Sequence, residues 1–281
     1  MSTAQHDTDL DALRAHFGRE LRRLRQRAGL SLNQLAKSLG CTPQWVHQLE
    51  TTDKNVPEQM AFDLDTYFQT EGWEENDGLF HRLYEAMRQD SRRRALRRGF
   101  QSYLAYEPKA IGIRCFAAQI VPGLLQTEEY AWGIMDRNEP EEILRTRVAV
   151  RMERQAILTR EKPPEMMFVL DESVLRRPVG GPKVMADQIN RMIDLAQSPH
   201  VQIRIMPFER VTPVALAGGF ILLSFEREDD LMYTESGSFG QLIDNREVVF
   251  KAGVSFDTVM GEALSQAESI EMMSRAREVY L

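Results

Sequence analysis

Between Gly29 and Glu50 the sequence GLSLNQLAKSLGCTPQWVHQLE has room for two helices and almost nothing to join them. Ser31 can cap the first helix. Gln34 stands three residues on as its capping-box partner, and Leu30 and Leu35 are placed for a hydrophobic staple. Leu35, Ala36 and Leu39 then face inward, and Gly40 can take the left-handed conformation that ends the helix after barely two turns. Only Cys41 intervenes before Thr42, a capping residue, and Pro43, whose fixed φ suits the first helical position. Two short helices joined by about three or four residues cross at a steep angle, which is helix-turn-helix geometry. Val46 and Leu49 anchor the second helix, and Gln44, His47 and Gln48 are left on its outer side. An amide there can pair bidentately with adenine in the major groove.

The flanking pattern completes a bundle. Leu10, Leu13, Phe17, Leu21 and Leu24 recur at helical spacing before Gly29, and a further helix starting near Pro57 places Met60, Leu64 and Phe68 on one side. Formal net charge is −7, which argues against a general polyanion binder, but the charge is graded along the chain. Lys and Arg stand against Asp and Glu as eight to nine over residues 1–70, seven to six over 71–103, and 20 to 27 over 104–281. Positive charge concentrates in GRELRRLRQRAG and RQDSRRRALRRG, the distribution of a phosphate-facing surface or of solvated, ion-paired helix faces.

The 281 residues suffice for two ordinary domains. No run of about 18 apolar residues could span a bilayer, and the polar, acidic N-terminus is unlike a secretory signal, so a cytoplasmic protein without membrane attachment is expected. Cys41 and Cys115 have no second thiol near either, and both are expected to be buried thiols.

Residues 71–110 read as a helical connector, with one helix through LFHRLYEAMRQDSRRRALRRGFQSYL. From about Ile111 the texture becomes α+β. FVLDE, VQIRIMPF, GGFILLSF, LMYTES and EVVFKAGV read as strands; EEILRTRVAVRMERQAIL, PKVMADQINRMIDLAQ and SIEMMSRAREVYL read as helices. Chemistry-bearing motifs fail on inspection. SGSFG lacks the G-x-S-x-G spacing and a downstream His. VGGPKV lacks the spacing and the Ser/Thr of a phosphate loop. Asp171 and Glu172 are more simply a strand end and a helix start than parts of a carboxylate cluster with Glu235. His6, His16, His47, His81 and His200 show no metal-ligand spacing. The expectation is therefore no enzyme, no metal and no cofactor.

Residues from about Phe17 to Phe68 resemble the Cro/phage-repressor (XRE-type) helix-turn-helix class, with Leu35, Ala36, Gly40, Val46, Leu49 and Glu50 at its defining positions. The resemblance implies a homodimer on a double-stranded DNA operator, its half-sites about one helical turn, roughly 34 Å, apart. It places base-reading residues at Pro43, Gln44 and Gln48, with His47 beside them. Thr42, Trp45, Arg19, Arg22, Arg23 and Lys37 are the candidates for backbone contact, although the Trp45 ring can equally cover a helix junction. Leu32 departs from the family's common Gln, leaving backbone amides as the phosphate donors at that point.

The stretches IVPGLLQTEEYA, RVAVRMERQAIL, VLDESVLRRPVGG, VQIRIMPF, GGFILLSF and ALSQAESIEMM resemble the uncharacterised effector domain of actinobacterial WhiJ-like regulators. That implies a transcriptional regulator, read as a repressor, whose second domain senses a ligand or a small BldB-like protein. Pro122 to Leu125 and Arg176 to Gly181 read as folding turns or as a partner surface. The expected fold is multidomain: an all-α helix-turn-helix bundle over 1–70, the connector over 71–110, and an α+β effector domain over 111–281. The competing reading is a protein-interaction module in which DNA binding is secondary or lost.

Overall fold

The computed structural model describes residues 3–51, 56–70, 78–96, 99–210, 212–236 and 239–281. The chain divides into two compact units, Met1–Arg94 and Ala95–Leu281, so the segment 71–110 falls partly in each.

The first unit is helical: α1 (Thr3–Arg27), α2 (Leu32–Ser38), α3 (Pro43–Thr51), α4 (Glu58–Phe68) and α5, which begins at Leu79 and runs to Ala95. Local chemistry sets the boundaries. Ser31 and Gln34 form both halves of the capping box, and Gly29 and Gly40 adopt φ of +70° and +66° where α1 and α2 give way to turns. The core gathers one apolar stripe from each helix: Phe17 and Leu21, Leu35 and Ala36, Val46 and Leu49, Ala61 and Leu64, Phe80 and Met87. Leu30 and Leu32 pack on its margin. The polar stretch 71–77, the arginines at 92–94 and 97–98, and the inward placement expected of Leu10 lie outside the described residues and side chains.

The single helix expected over 79–104 is two. Gly99, at φ +84°, starts a separate α6 (Phe100–Tyr106), and a Cβ at Gly99 would lie 1.7 Å from the carbonyl oxygen of Gly240. Only glycine tolerates both that conformation and that approach.

The second unit then runs β1 (Gly112–Ala117), α7 (Glu128–Gly133), α8 (Glu141–Arg154), β2 (Glu165–Asp171), α9 (Ser173–Arg176), α10 (Pro182–Leu195), β3 (Val201–Met206), α11 (Pro213–Leu216), β4 (Phe220–Ser224), β5 (Leu231–Ser236), β6 (Phe239–Ile243), α12 (Arg246–Glu262) and α13 (Gln266–Glu278). The described strands form a six-stranded mixed sheet in the order β3-β2-β1-β4-β5-β6. β1, β2 and β3 are parallel, and β4 to β6 are antiparallel. Both faces are covered, which explains the near-continuous apolar runs. Cys115, Phe168 and Ile203 point to a core shared with α10 and α13, while Phe116, Val169 and Leu222 point to a core shared with α12.

EVVFKAGV, expected as a strand, lies in α12. The Asn245 side chain accepts from the Val248 N–H and starts a helix, and Val249, Ala252, Phe256 and Val259 turn the buried face of that helix to the sheet. Spacing of three, four and three is helical, and it overrides the β propensity of the valines. Phe239–Ile243, which carried no strand expectation, is the edge strand β6.

Candidate nucleic-acid interface

On α3 the buried residues are Val46 and Leu49. Gln44, His47 and Thr51 are exposed and Gln48 is half-buried. Positions 44, 47, 48 and 51 share a helix face, so the outer stripe consists of two amides, an imidazole and a hydroxyl, with no Lys, Arg, Asp or Glu among them. Thr42 begins the helix: its Oγ1 accepts from the Trp45 N–H at 3.1 Å, and its carbonyl accepts from the Val46 N–H at 3.2 Å. The Thr51 hydroxyl donates to the His47 carbonyl at 2.7 Å. Pro43 is exposed at the first helical position.

Two contacts brace this stripe. Gly18 of α1 is buried, and a Cβ there would stand 2.8 Å from the carbonyl oxygens of both Leu49 and Glu50. Glycine thus lets α1 come nearly to backbone contact with α3. Beside it Arg25 forks onto Glu50, Nε to Oε1 at 2.6 Å and NH2 to Oε2 at 2.9 Å, while its NH1 donates to the Leu30 carbonyl at 2.8 Å. The hydrogen bond to Glu50 holds the Arg25 guanidinium pKa above its ordinary value, against the opposing effect of burial. A bidentate pair of this kind fixes orientation as well as distance.

The other expected contact residues are placed as follows. Arg19, Arg22 and Arg23 are exposed on α1, at spacings that share a face, and Lys37 is exposed in the last turn of α2. Arg23 is paired within its own helix to Glu20 at 2.7 Å. Trp45 is half-buried and packs against the core of the unit, as does Leu32. Sequence reasoning missed Gly18 and the Arg25 to Glu50 brace. Their signal is tertiary, since partners 25 residues apart carry no local pattern.

In the second unit, Asp171 accepts from the Ser173 N–H at 2.9 Å, and Glu172, which is buried, pairs with Arg176 at 2.7 Å and accepts from the Phe208 N–H at 3.2 Å. Glu235 is exposed. The Pro122 to Leu125 turn is held from inside: Gln155 donates to the Gly123 carbonyl at 3.0 Å, and the fully buried Gln188 donates to that of Leu125 at 2.8 Å. Leu124 and Leu125 fill core there, so the turn is a folding device. An open cleft of about 360 Å³ lies between α12 and β1, lined among others by Arg114, Arg246, Phe250 and Asp257. Cys115 is buried and Cys41 only half-buried, which corrects the expectation for Cys41. Burial raises both thiols, that of Cys115 to about 12.

Two short helices joined by a tight turn, the second presenting a polar stripe without Lys, Arg, Asp or Glu from a braced position, define a helix-turn-helix DNA-binding domain. Residues 16–75 match the family described as helix-turn-helix domain. Residues 100–275, more than half of the chain, match the family described as domain of unknown function (DUF5753), and the protein belongs to it. No curated protein and no solved structure matches the chain. Among the described residues no helix is long and apolar enough to cross a membrane.

Proposed function

We propose that this protein is a sequence-specific transcriptional regulator of the XRE type, acting as a repressor, in which Gln44 and Gln48 read base edges. The observation that carries the reading is the outer stripe of α3, exposed or half-exposed amides on a helix held by Gly18 and the Arg25 to Glu50 pair. Neutral amides discriminate among base edges, whereas cations grip the phosphates irrespective of sequence. Arg19, Arg22 and Lys37 supply such cations, Pro43 offers apolar contact to a thymine methyl, and Thr42, exposed at the start of α3, contacts the DNA backbone. Trp45 supports the helix from behind.

In this reading the protein acts as a cytoplasmic homodimer on paired half-sites, because so small a reading head needs two to reach useful affinity. The second unit senses a small partner protein, as the resemblance to WhiJ-like regulators and their BldB-like neighbours implies, and performs no catalysis. Exposed Phe250 and Val254 on α12 favour a partner there, since large apolar side chains close together on a surface mark interaction sites.

The test is binding to DNA from the protein's own upstream region, by gel shift and fluorescence anisotropy. Gln44→Ala and Gln48→Ala are each expected to cost about 1–3 kcal/mol and to relax preference at one base pair, and Arg22→Ala to weaken all sequences alike and flatten the salt dependence. Operator preference that survives loss of both glutamines overturns the assignment.

A further inference from the structure

The geometry points to a divalent transition-metal site in the first unit, built from Glu58 on α4 and His81 and Glu85 on α5. One imidazole nitrogen and one oxygen from each carboxylate lie within 4.8 Å of one another. His81 and Glu85 are one turn apart and so share a face. Atoms bound to one zinc ion at about 2.1 Å stand at most roughly 4.2 Å apart, so small rotations of the two glutamate side chains close the set. Both have freedom to move: Glu58 is exposed, and Glu85 is half-exposed.

A second observation is independent of that proximity. His81 is only 8 % exposed, and its Nδ1 is buried without a hydrogen-bond partner among the described residues. A buried ring nitrogen left unmatched costs on the order of 1–3 kcal/mol, and an ion bound through Nδ1 would supply the missing partner. The ring is also held in place. Phe62, one turn beyond Glu58, stacks on it with centroids 4.4 Å apart and planes at 22°.

The junction of the two helices is rigid for a separate reason. Asp65, two turns along α4 from Glu58, is buried at 2 % exposure. It accepts from the Phe80 and His81 N–H groups at 2.9 and 2.8 Å, capping α5. Gly78 makes room for it, since a Cβ there would fall 2.1 Å from Asp65 Oδ2. The first turn of α4 and the first two turns of α5, which bear the ligands, are therefore presented to each other before any ion arrives, which lowers the cost of binding. Glu85 also pairs with Arg88 at 3.3 Å, but that pair is partly exposed and weak.

One imidazole with two carboxylates and no thiolate suits zinc, manganese or cobalt better than copper(I), and the single nitrogen disfavours calcium. Three protein ligands leave a position for water. The histidine spacing alone could not announce the site, because two of its three ligands are glutamates and one comes from another helix.

Zinc titration of the full-length, metal-free protein tests this without reference to DNA. Calorimetry is expected to show one zinc per chain, with a rise in melting temperature at saturating zinc. Glu58→Gln with Glu85→Gln is expected to weaken that binding at least 100-fold and to abolish the melting shift, while the metal-free melting temperature stays as in the parent. His81→Asn should do the same to binding; because His81 is buried, the glutamine pair carries the test if that variant misfolds. Cobalt(II) absorption in the visible range, present in the parent and lost in the glutamine pair, reports the same ligands. Binding changed less than threefold in the folded glutamine variant, or no binding to the parent at millimolar zinc, overturns the site.

Discussion

Arg25 and Glu50 in the first unit, and Arg154 and Glu107 in the second, meet with nearly the same geometry. Each guanidinium forks onto its carboxylate at 2.6 to 2.9 Å, with the acid almost wholly covered and the base about one-tenth exposed. Their surroundings differ. Arg25 donates from its third nitrogen to a backbone carbonyl in the turn before α2, so the pair ties three parts of a small bundle together. Arg154 is enclosed by aromatics, 4.9 Å from the Phe100 centroid and 5.3 Å from that of Tyr103, and the Tyr103 hydroxyl donates to Glu107. Burial works against the Arg154 charge, and Glu107 more than offsets it, so the guanidinium pKa lies above its ordinary value; burial first and Glu107 second push Tyr103 well up.

The contrast shows one chemical device used for two ends. Short helices bury too little apolar area to fix their own crossing angle, and in the first unit the ion pair orients a surface. In the second the sheet supplies ample core, and the network settles how α6 and α8 sit beside it. Removing one partner from a buried pair costs about 3–5 kcal/mol, because the other charge is stranded. Glu50→Ala is therefore expected to unfold the first unit or lower its melting point sharply, with DNA affinity lost alongside. Glu107→Ala should destabilise the second unit by a comparable amount, read as a denaturation midpoint, while DNA affinity of the folded protein holds. If Glu107→Ala abolishes DNA binding at temperatures where both units remain folded, the division of labour is wrong.

A smaller effect sharpens the first half of the comparison. Gly18→Ala forces α1 away from the Leu49 and Glu50 carbonyls, an overpacking cost of about 1–3 kcal/mol. Operator affinity should fall more than melting temperature predicts, since the displaced element is α3, the helix proposed to read bases. Smallest in energy is the difference between the two thiols. Cys115, buried and raised to about 12, should resist a thiol reagent at pH 8 until the protein is denatured, and half-buried Cys41 should react first. Equal labelling rates in the native protein would contradict the packing of β1.

The helix-turn-helix was legible because its signals are local: Ser31 with Gln34, Gly40, Thr42 and Pro43 each act within four residues of themselves. The outer stripe of α3 followed from periodicity alone. The second unit was legible as α+β, but not element by element. Val248 and Val249 favour strand locally, but the Asn245 cap and the packing of Val249, Ala252, Phe256 and Val259 on the sheet make 246–262 a helix. Gly99 broke an otherwise convincing helix for the sake of Gly240, 141 positions later.

By itself, then, the sequence determined where α1 ends, where α2 starts and stops and where α3 and α4 begin, which side of α3 is polar, and that a mixed domain follows; the start of α1 at Thr3 rather than Leu10 it did not. Tertiary structure decided what holds α3 in place, which residues share the faces of the sheet, and that a glutamate of α4 meets a histidine and a glutamate of α5. Capping and periodicity act over a few residues and are written into adjacent letters; ion pairs, backbone approaches and ligand clusters depend on distances in space that chain separation does not encode.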